Sequence, residues 1–327
     1  MIPRTPEFWY QKRGPAALAL SPLAALYHLG HKIHQSAASP KKAPFPVICV
    51  GNITAGGSGK TPTALALMEL IKAHKLALKP HFLTRGYGGS EAGPAPVDLK
   101  KHTARHVGDE SLLLARAAPT LVSVDRYQGA LLGAEKGADM ILMDDGLQNT
   151  DIIKDFSFVV IDGATGFGNR LIIPAGPLRQ PLSEGLSRAG AFIIIGQDRH
   201  NASALLPSGK PVLHAQITVD PEKIPAKDIP YIGFAGLGRP EKFKATLESL
   251  DLDLRGFHAF PDHHPYTAEE LQPLWHEAQK EGAQLITTEK DFLRLPETFK
   301  PYVTSLPVSL KFEDPNTAVS ILSGVLK

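Results

Sequence analysis

The stretch that decides the fold is "FPVICVGNITAGGSGKTPTALALMEL", residues 45–70. An apolar strand leads into a glycine-rich turn that ends in Gly59, Lys60 and Thr61, and an apolar helical segment follows. This order of parts is typical of a phosphate-binding loop between a strand and a helix. The strict pattern has glycine where this chain has Thr54, but that position only shapes the way into the turn. The stretch therefore predicts a loop that binds a nucleoside triphosphate.

Each part of the loop has a chemical use. The backbone N–H groups of its glycines can surround phosphate oxygens, and the start of the helix adds its positive dipole end. Lys60 can reach the β- and γ-phosphates, and the Thr61 hydroxyl can hold Mg²⁺. Pro62 is compatible with the first helical turn, where its missing N–H is not needed. The predicted nucleotide-binding residues are Thr54, Ala55, Gly56, Gly57, Ser58, Gly59, Lys60 and Thr61.

ATP is predicted as the nucleotide rather than GTP. GTP-binding proteins of this architecture usually carry an Asn-Lys-x-Asp sequence. The nearest stretch here is "TTEKD", residues 287–291, which lacks the asparagine. Its acidic residues can equally form the cap region at the N-terminus of a helix.

A second motif supplies carboxylates for a magnesium site. In "MILMDDGLQ", residues 140–148, four apolar residues precede Asp144 and Asp145. Two adjacent carboxylates at the end of a buried strand repel each other unless they bind a cation. Together with the loop, they predict a Walker B element that organises Mg²⁺.

Two further segments carry groups that could activate an acceptor. "VGDESLLLA" places Asp109 and Glu110 at the start of an apolar helix, where acids also serve as ordinary caps. "HAFPDHHPYT", residues 258–267, places His263 and His264 in a proline-flanked loop, where histidines are often idle surface groups. A carboxylate and a histidine from the two halves of the chain could together take a proton from a hydroxyl.

Strands alternate with helices along most of the chain. This alternation predicts an α/β fold, a P-loop NTPase-like parallel sheet with helices on both faces, in which ligands bind beyond the strand C-termini. We expect three parts: an N-terminal membrane-associated helix over residues 1–40, a P-loop kinase domain over 41–188, and a smaller C-terminal α/β domain over 189–327 that carries the histidine loop.

Composition restricts the class of protein. The chain has 327 residues, of which 43% are hydrophobic and 21% charged, as in globular proteins. A net charge of +2 is too small to suggest nucleic-acid binding. The single cysteine, Cys49, lies in an apolar strand, so neither a disulfide framework nor a cysteine metal site is predicted.

The N-terminal segment "PAALALSPLAALYHL", residues 15–29, is apolar but shorter than a spanning helix and interrupted by a proline. A secretory signal with "SAAS" as its cleavage site is disfavoured, because exported chains meet no ATP. Two interpretations of the segment remain: a helix packed on the domain and a helix at the membrane surface. We favour the membrane surface, with Phe8, Trp9 and Tyr10 at headgroup level and basic flanking residues on anionic lipid.

Seven motifs spread over residues 51–291 resemble one known family. They are "GNITAGGSGKTP", "TRGYGG", "VGDE", "DDGLQN", "PAGPLRQP", "FPDHHPYT" and "TTEKD", in this order. Together with the N-terminal apolar segment, they closely resemble the tetraacyldisaccharide 4′-kinases, the lipid A 4′-kinases of Gram-negative bacteria. Each motif is weak alone, but seven in register make a specific match. The resemblance also explains Thr54 and Pro62, which are features of that family's loop.

The resemblance implies transfer of the γ-phosphate of ATP to the 4′-hydroxyl of a tetraacylated glucosamine disaccharide 1-phosphate. The enzyme would act as a peripheral or monotopic protein at the cytoplasmic face of the bacterial inner membrane, with no nucleic-acid partner. Asp109 and His263, chosen by alignment over His264, would form the dyad that activates the hydroxyl. Lys60 and Thr61 would serve ATP and Mg²⁺. Further residues implied near the metal, the phosphates or the acceptor are Asp144, Asp145, Gln180, Arg85, Tyr87, Arg126 and Arg179.

One position departs from the family. Where the family usually has glutamate after the arginine of its "PLREP" motif, this chain has Gln180. A neutral amide can coordinate Mg²⁺ but adds no charge to the site. The alternative to a kinase is a membrane-docked P-loop NTPase, a switch or metallochaperone that modifies no lipid and needs neither Asp109 nor His263.

Overall fold

The computed structural model describes residues 6–327, apart from the side chain of His34. The first five residues of the expected N-terminal segment lie outside that range. The strands are β1 Val47–Gly51, β2 Pro80–Thr84, β3 Ala95–Pro96, β4 Thr120–Val122, β5 Met140–Asp144, β6 Phe156–Asp162, β7 Ala191–Ile195, β8 Val212–Thr218, β9 Tyr231–Ala235, β10 Leu254–Ala259, β11 Gln284–Thr288, β12 Val303–Leu306 and β13 Ser309–Phe312. The α-helices are α1 Pro15–Ser36, α2 Lys60–Ala73, α3 Ala104–Val107, α4 Asp109–Ala117, α5 Arg126–Glu135, α6 Leu182–Ser187, α7 Pro240–Ser249, α8 Ala268–Lys280, α9 Glu289–Phe292 and α10 Pro315–Leu326. Short 3₁₀ helices cover Glu7–Tyr10, Ala202–Leu205, Pro221–Lys223 and Lys300–Tyr302.

The larger sheet is built around β1. Over the described residues its strand order is β13-β8-β7-β6-β1-β5-β2-β4-β3, and all its pairings are parallel except those at the two edges, β13 with β8 and β3 with β4. The central strands β1, β5 and β7 are buried along their whole length. Helices cover both faces, as such apolar parallel strands require. Strand β1 lies between β5 and β6, so the loop after β1 faces the C-terminal ends of both neighbours.

The two faces of this sheet bury separate cores. On one face α2, α4 and α10 contribute Leu67, Leu114 and Leu322 to a cluster with Ile48 of β1. On the other, α5 and α6 contribute Ala130 and Leu186 to a second cluster. This architecture confirms the predicted α/β class with a parallel sheet enclosed by helices.

A smaller sheet follows, with the order β10-β9-β11-β12 and parallel pairing throughout. Helices α7 and α8 pack against it. The boundary expected near residue 188 does not coincide with the division between the sheets. Strands β7 and β8 extend the larger sheet from β6, and β13 returns to pair with β8, so the smaller unit spans residues 231–306. The strand–helix alternation continues across residue 188, and it carries no information on which strands share a sheet.

The N-terminal apolar segment forms one continuous helix, α1, which includes Pro22. Within the described residues, no helix is long and apolar enough to cross a membrane. One detail of the expectation is wrong: Trp9 does not lie at headgroup level, because it is buried and its indole N–H donates to the carbonyl of Pro174 at 2.9 Å.

Candidate active site

The loop between β1 and α2 has the shape that the sequence predicts. Gly56 and Gly59 have φ angles of +100° and +86°, a left-handed region that glycine adopts without strain. A Cβ at Gly59 would also lie 2.5 Å from the side chain of Ile195. The buried Asn52 amide donates to the Thr54 carbonyl at 2.6 Å and to Ser58 Oγ at 2.8 Å, which holds the loop closed. The backbone therefore forms a cradle at the start of α2.

The segment that carries Arg179 and Gln180 pairs with this loop. The backbone N–H of Arg179 donates to the Ile53 carbonyl at 2.8 Å, and that of Ala55 donates to the Pro177 carbonyl at 2.7 Å. The two predicted residues are thus brought beside the loop, although about 120 residues separate them in the chain.

Asp144 and Thr61 meet as the magnesium prediction requires. Thr61 Oγ1 donates to Asp144 Oδ2 at 2.8 Å, while Asp144 Oδ1 is buried and has no hydrogen-bond partner among the described residues. Burial, and then the charges of Glu110 and Asp145, raise the pKa of Asp144. A buried carboxylate with an unpartnered oxygen fits a cation ligand, because a cation would offset both the burial and the repulsion.

Asp145, the second carboxylate, is held by two cations. Arg179 Nη1 lies 3.1 Å from Asp145 Oδ1, and Lys60 Nζ lies 3.6 Å from Asp145 Oδ2. Burial acts to raise the pKa of Asp145, but Lys60 and Arg179 outweigh it and lower the pKa. Lys60 and Arg179 therefore lie beside the predicted metal site.

Gln180 is fully buried, and neither its amide nitrogen nor its amide oxygen has a partner in the described part of the chain. Leaving both groups of a buried amide unpaired is costly. The amide oxygen is a suitable ligand for Mg²⁺, so the position fits the predicted contribution to the metal site. No group of three or more His, Cys, Asp or Glu residues capable of holding a metal ion occurs among the described residues. Mg²⁺ in nucleotide sites needs only one or two carboxylates, because phosphates and water complete its shell.

The predicted dyad is assembled from the two sheets. Asp109 is the first residue of α4, and His263 lies in the loop after β10. His263 Nδ1 is 3.3 Å from Asp109 Oδ2. Asp109 is 2% exposed, and although burial acts to raise its pKa, the charges of Lys290, Arg294 and His263 lower it far more. The neighbouring cations therefore favour the ionised form of Asp109.

The neighbouring His264 has a different environment. Its Nε2 lies 3.0 Å from Glu270 Oε2, and its ring packs against Phe260 and Tyr266 at centroid distances of 5.0 Å. Glu270 also closes the capping box of α8. Among the ion pairs of the described residues, Asp109 contacts His263 and not the adjacent His264.

The remaining predicted residues are Tyr87, Arg85 and Arg126. The Tyr87 ring is exposed and meets the His263 ring edge-on at a centroid distance of 5.3 Å. Arg85 is exposed, whereas Arg126 is buried and donates to the carbonyls of Ser123 and Val124. Burial, and then the charge of Arg85, lower the pKa of Arg126 to about 10, so its guanidinium remains charged at neutral pH.

A cluster that sequence reasoning missed lies at the other side of the loop. Asp162, at the end of β6, accepts hydrogen bonds from Arg239, and from Lys242 at 2.6 Å. Arg239 also lies over the Tyr10 ring, 5.8 Å from its centroid. The position of Asp162 at a strand end was a usable signal, whereas nothing in the sequence marked Arg239. The pocket here is lined by Tyr10, Thr54, Ala55, Gly56, Gly57, Ser58, Asp162, Thr165, Gly238 and Arg239.

The glycine loop, the carboxylates at the end of β5 and the dyad of Asp109 with His263 define the class as a P-loop phosphotransferase. A family model described as tetraacyldisaccharide-1-P 4′-kinase (LpxK) matches residues 16–327. The chain therefore belongs to this family, and the resemblance in its motifs is confirmed.

Individual relatives agree. The chain is 47% identical to the tetraacyldisaccharide 4′-kinase of Paramagnetospirillum magneticum, over 98% of each chain. It is 44% identical to that of Rhodospirillum centenum, over 99% of this chain and 97% of the relative. A crystal structure of LpxK from Aquifex aeolicus in complex with ATP superposes with a TM-score of 0.75 at 26% identity, covering 95% of this chain and 99% of the other.

Proposed function

We propose that this enzyme transfers the γ-phosphate of ATP to the 4′-hydroxyl of a tetraacylated glucosamine disaccharide 1-phosphate, a step of lipid A biosynthesis. The observation that carries the proposal is the contact of His263 with Asp109 across the two sheets. A P-loop switch needs the loop and the strand-end carboxylates, but it has no use for a proton acceptor at a distance from them. This contact favours the kinase over the NTPase switch.

The nucleotide is held by the loop after β1. Its backbone N–H groups and the start of α2 bind the phosphates, and Lys60 adds a positive charge. Thr61, Asp144, Asp145 and Gln180 would hold Mg²⁺, which when bound neutralises charge on the phosphates. Arg179, already beside Asp145, lies where it can contact phosphate oxygens.

The dyad activates the acceptor. Asp109 and His263 take the proton of the 4′-hydroxyl, whose oxygen then forms a bond to the γ-phosphorus as the bond to ADP breaks. Tyr87, exposed beside His263, is placed to contact the sugar. Arg85 and Arg126 supply positive charge suited to a phosphate of the nucleotide or of the acceptor.

We further propose that the enzyme works as a peripheral protein at the cytoplasmic face of the inner membrane. Helix α1 buries Ala17 and Ala24 but leaves large apolar side chains exposed. An acceptor with four acyl chains does not leave the bilayer readily, since each buried CH₂ contributes about 0.8 kcal/mol. The exposed apolar side chains of α1 are Leu18, Leu23, Leu26, Tyr27, Leu29 and Ile33.

The test is phosphorylation of the acceptor in detergent micelles, with ATP labelled in its γ-phosphate and with Mg²⁺. We expect label in the lipid fraction, and we expect Lys60→Ala to abolish it. Release of labelled phosphate to water without any label in lipid would overturn the kinase proposal and leave the NTPase switch.

A further inference from the structure

The segment "TTEKDFLRL", residues 287–295, has no part in the chemistry described so far. Thr288 caps the N-terminus of the short helix α9, and its side chain accepts a hydrogen bond from the Asp291 N–H at 3.0 Å. The stretch therefore forms a helix cap rather than a guanine-reading motif. Two cations four residues apart extend from it to the start of α4 in the other half of the molecule: Lys290 Nζ lies 2.8 Å from Glu110 Oε1, and Arg294 Nε lies 3.1 Å from Asp109 Oδ2.

Arg294 is 6% exposed, and each of its nitrogens has a partner. Besides the contact of Nε with Asp109, Nη2 lies 3.0 Å from Asp291 Oδ1 and donates to the Gly236 carbonyl at 3.1 Å. Nη1 donates to the His264 carbonyl at 3.3 Å. The planar fork of arginine can join this many acceptors at once, whereas lysine cannot.

The partners of Arg294 are themselves fixed. Asp291 is completely buried, and its Oδ1 accepts hydrogen bonds from Tyr266 Oη at 2.8 Å and from the Gly236 N–H at 2.9 Å. The Gly236 carbonyl that Arg294 binds also accepts from the backbone N–H of His263 at 3.1 Å. Arg294 therefore contacts the carboxylate of the dyad directly and the histidine of the dyad through one shared peptide.

We propose that Arg294 is a positioning residue for phosphoryl transfer, which holds the Asp109 carboxylate against His263 and joins the α4 terminus to the histidine loop. This inference rests on the proposed kinase function and on the role of the dyad in it. Small displacements at a proton-transfer site are costly, because a shift of about 1 Å can reduce the rate 100-fold.

Arg294 also influences the ionisation of Asp109. The groups facing the dyad are the cations Lys290 and Arg294 from α9 and its extension, the carboxylates Glu110, Asp262 and Asp291, and the phenol of Tyr87. Lys290 and Arg294 lower the pKa of the buried Asp109 carboxyl. Removing Arg294 favours the protonated form of Asp109, so the acidic limb of the pH–rate profile should move to higher pH.

The test compares Arg294→Met, Arg294→Lys and the control Arg116→Met. Arg116 lies on α4 and pairs with Glu289 of the other half at 3.8 Å, but it contacts neither member of the dyad. For each protein we would measure kcat, the KM for ATP and for the acceptor, and kcat/KM against pH, with thermal unfolding in parallel.

We expect Arg294→Met to lower kcat at neutral pH roughly 10- to 100-fold, with the KM for ATP unchanged and the acidic limb moved to higher pH. Arg294→Lys should keep the limb near its wild-type position, since the charge remains, but should still lower kcat about tenfold. Arg116→Met should match the wild type in both. If Arg294→Met does not fold, Arg294→Lys decides, and a wild-type kcat in that variant would overturn the inference.

The two possible failures are distinguishable. A wild-type enzyme that puts no label in the acceptor overturns the proposed function itself. A wild-type enzyme that is active, together with a folded Arg294→Met variant whose kcat and pH profile are unchanged, leaves the kinase standing and overturns only the role of Arg294.

Discussion

His263 and His264 are adjacent in the chain, yet their side chains have separate tasks. His263 has a φ of +55°, an uncommon backbone conformation for a residue other than glycine, and its ring contacts Asp109. His264 lies among Phe260, Tyr266 and Glu270 in the smaller unit. Sequence reasoning could narrow the choice to this pair, but only the contacts of each ring in the folded protein distinguish the two.

Substituting each histidine separates chemistry from stability. We expect His263→Ala to lower kcat by about 10²–10⁴-fold, the usual contribution of a general acid–base group, with little change in thermal unfolding. His264→Ala should leave kcat within a few-fold and lower the stability of the protein by roughly 1 kcal/mol through lost packing and a lost hydrogen bond. Steady-state kinetics and thermal denaturation of both variants check this. The reverse pattern would assign the dyad to His264.

Gln180 gives a prediction about the metal. Gln180→Glu places a carboxylate at a buried position beside the loop, where it adds negative charge for Mg²⁺. We expect the concentration of free Mg²⁺ at half-maximal activity to fall about tenfold. Without Mg²⁺ the variant should be less stable than the wild type, because the new charge is buried and unpaired. Magnesium titrations of activity, and thermal unfolding with and without a chelator, test both effects. An unchanged titration would remove Gln180 from the metal site.

Helix α1 has two apolar faces, one buried against the protein and one exposed. At 100° per residue, Leu18, Leu26, Leu29 and Ile33 fall within an arc of about 80°. The buried residues Ala17 and Ala24 lie on a different side of the helix. The sequence predicted the helix and its apolar character, but only packing shows which apolar residues remain exposed.

The exposed face predicts membrane binding that is separable from folding. We expect Leu26→Glu with Leu29→Glu to abolish most sedimentation with vesicles of anionic phospholipid, because each loses buried apolar area and adds a negative charge. Stability should change little, as both side chains are exposed. Leu78→Glu is the matched control, since Leu78 is 87% exposed but lies far along the chain from α1. Equal loss of binding in the control would contradict a specific role for α1.

The strands show where sequence patterns stop being informative. Apolar runs predicted β1 and β5 correctly, because strands buried on both faces need such runs. An apolar run alone does not show that β7 continues the larger sheet, because strand pairing is decided by hydrogen bonds to strands that are distant in the sequence. For that reason the division between the two sheets does not coincide with the domain boundary expected near residue 188.

Across the whole molecule, charged contacts join the two sheets on both sides of the nucleotide loop. On one side Asp109 and Glu110 meet His263, Lys290 and Arg294; on the other, Asp162 meets Arg239 and Lys242. The contacts that join the two sheets therefore also position the catalytic groups that each sheet contributes. Partners separated by 77 to 185 positions leave no local signal, so these contacts could not be read from the sequence.

Substituting Asp162 tests the charged contacts between the two sheets without changing the dyad. The side chain of Asp162 is 9% exposed, and its carboxylate has two cationic partners. Asp162→Asn therefore leaves Arg239 and Lys242 facing each other without a counter-charge. We expect the free energy of unfolding at neutral pH to fall by about 1–3 kcal/mol. The control Asp253→Asn removes the exposed pair of Asp253 with Arg255 and should change the free energy of unfolding much less, because solvent screens that pair.

The loss caused by Asp162→Asn should depend on pH with a definite sign. Burial acts to raise the pKa of Asp162, but Lys242 and Arg239 outweigh it and lower the pKa below its usual value. A carboxylate with a lowered pKa in the folded protein stabilises it above the unfolded pKa, about 3.9, and loses that contribution as pH falls through the folded value. The difference between Asp162→Asn and wild type should therefore be constant from pH 8 to about pH 5 and shrink below about pH 4. Chemical denaturation across this range measures it, and a difference that grows toward acid pH would show that the charge of Asp162 does not join the two halves.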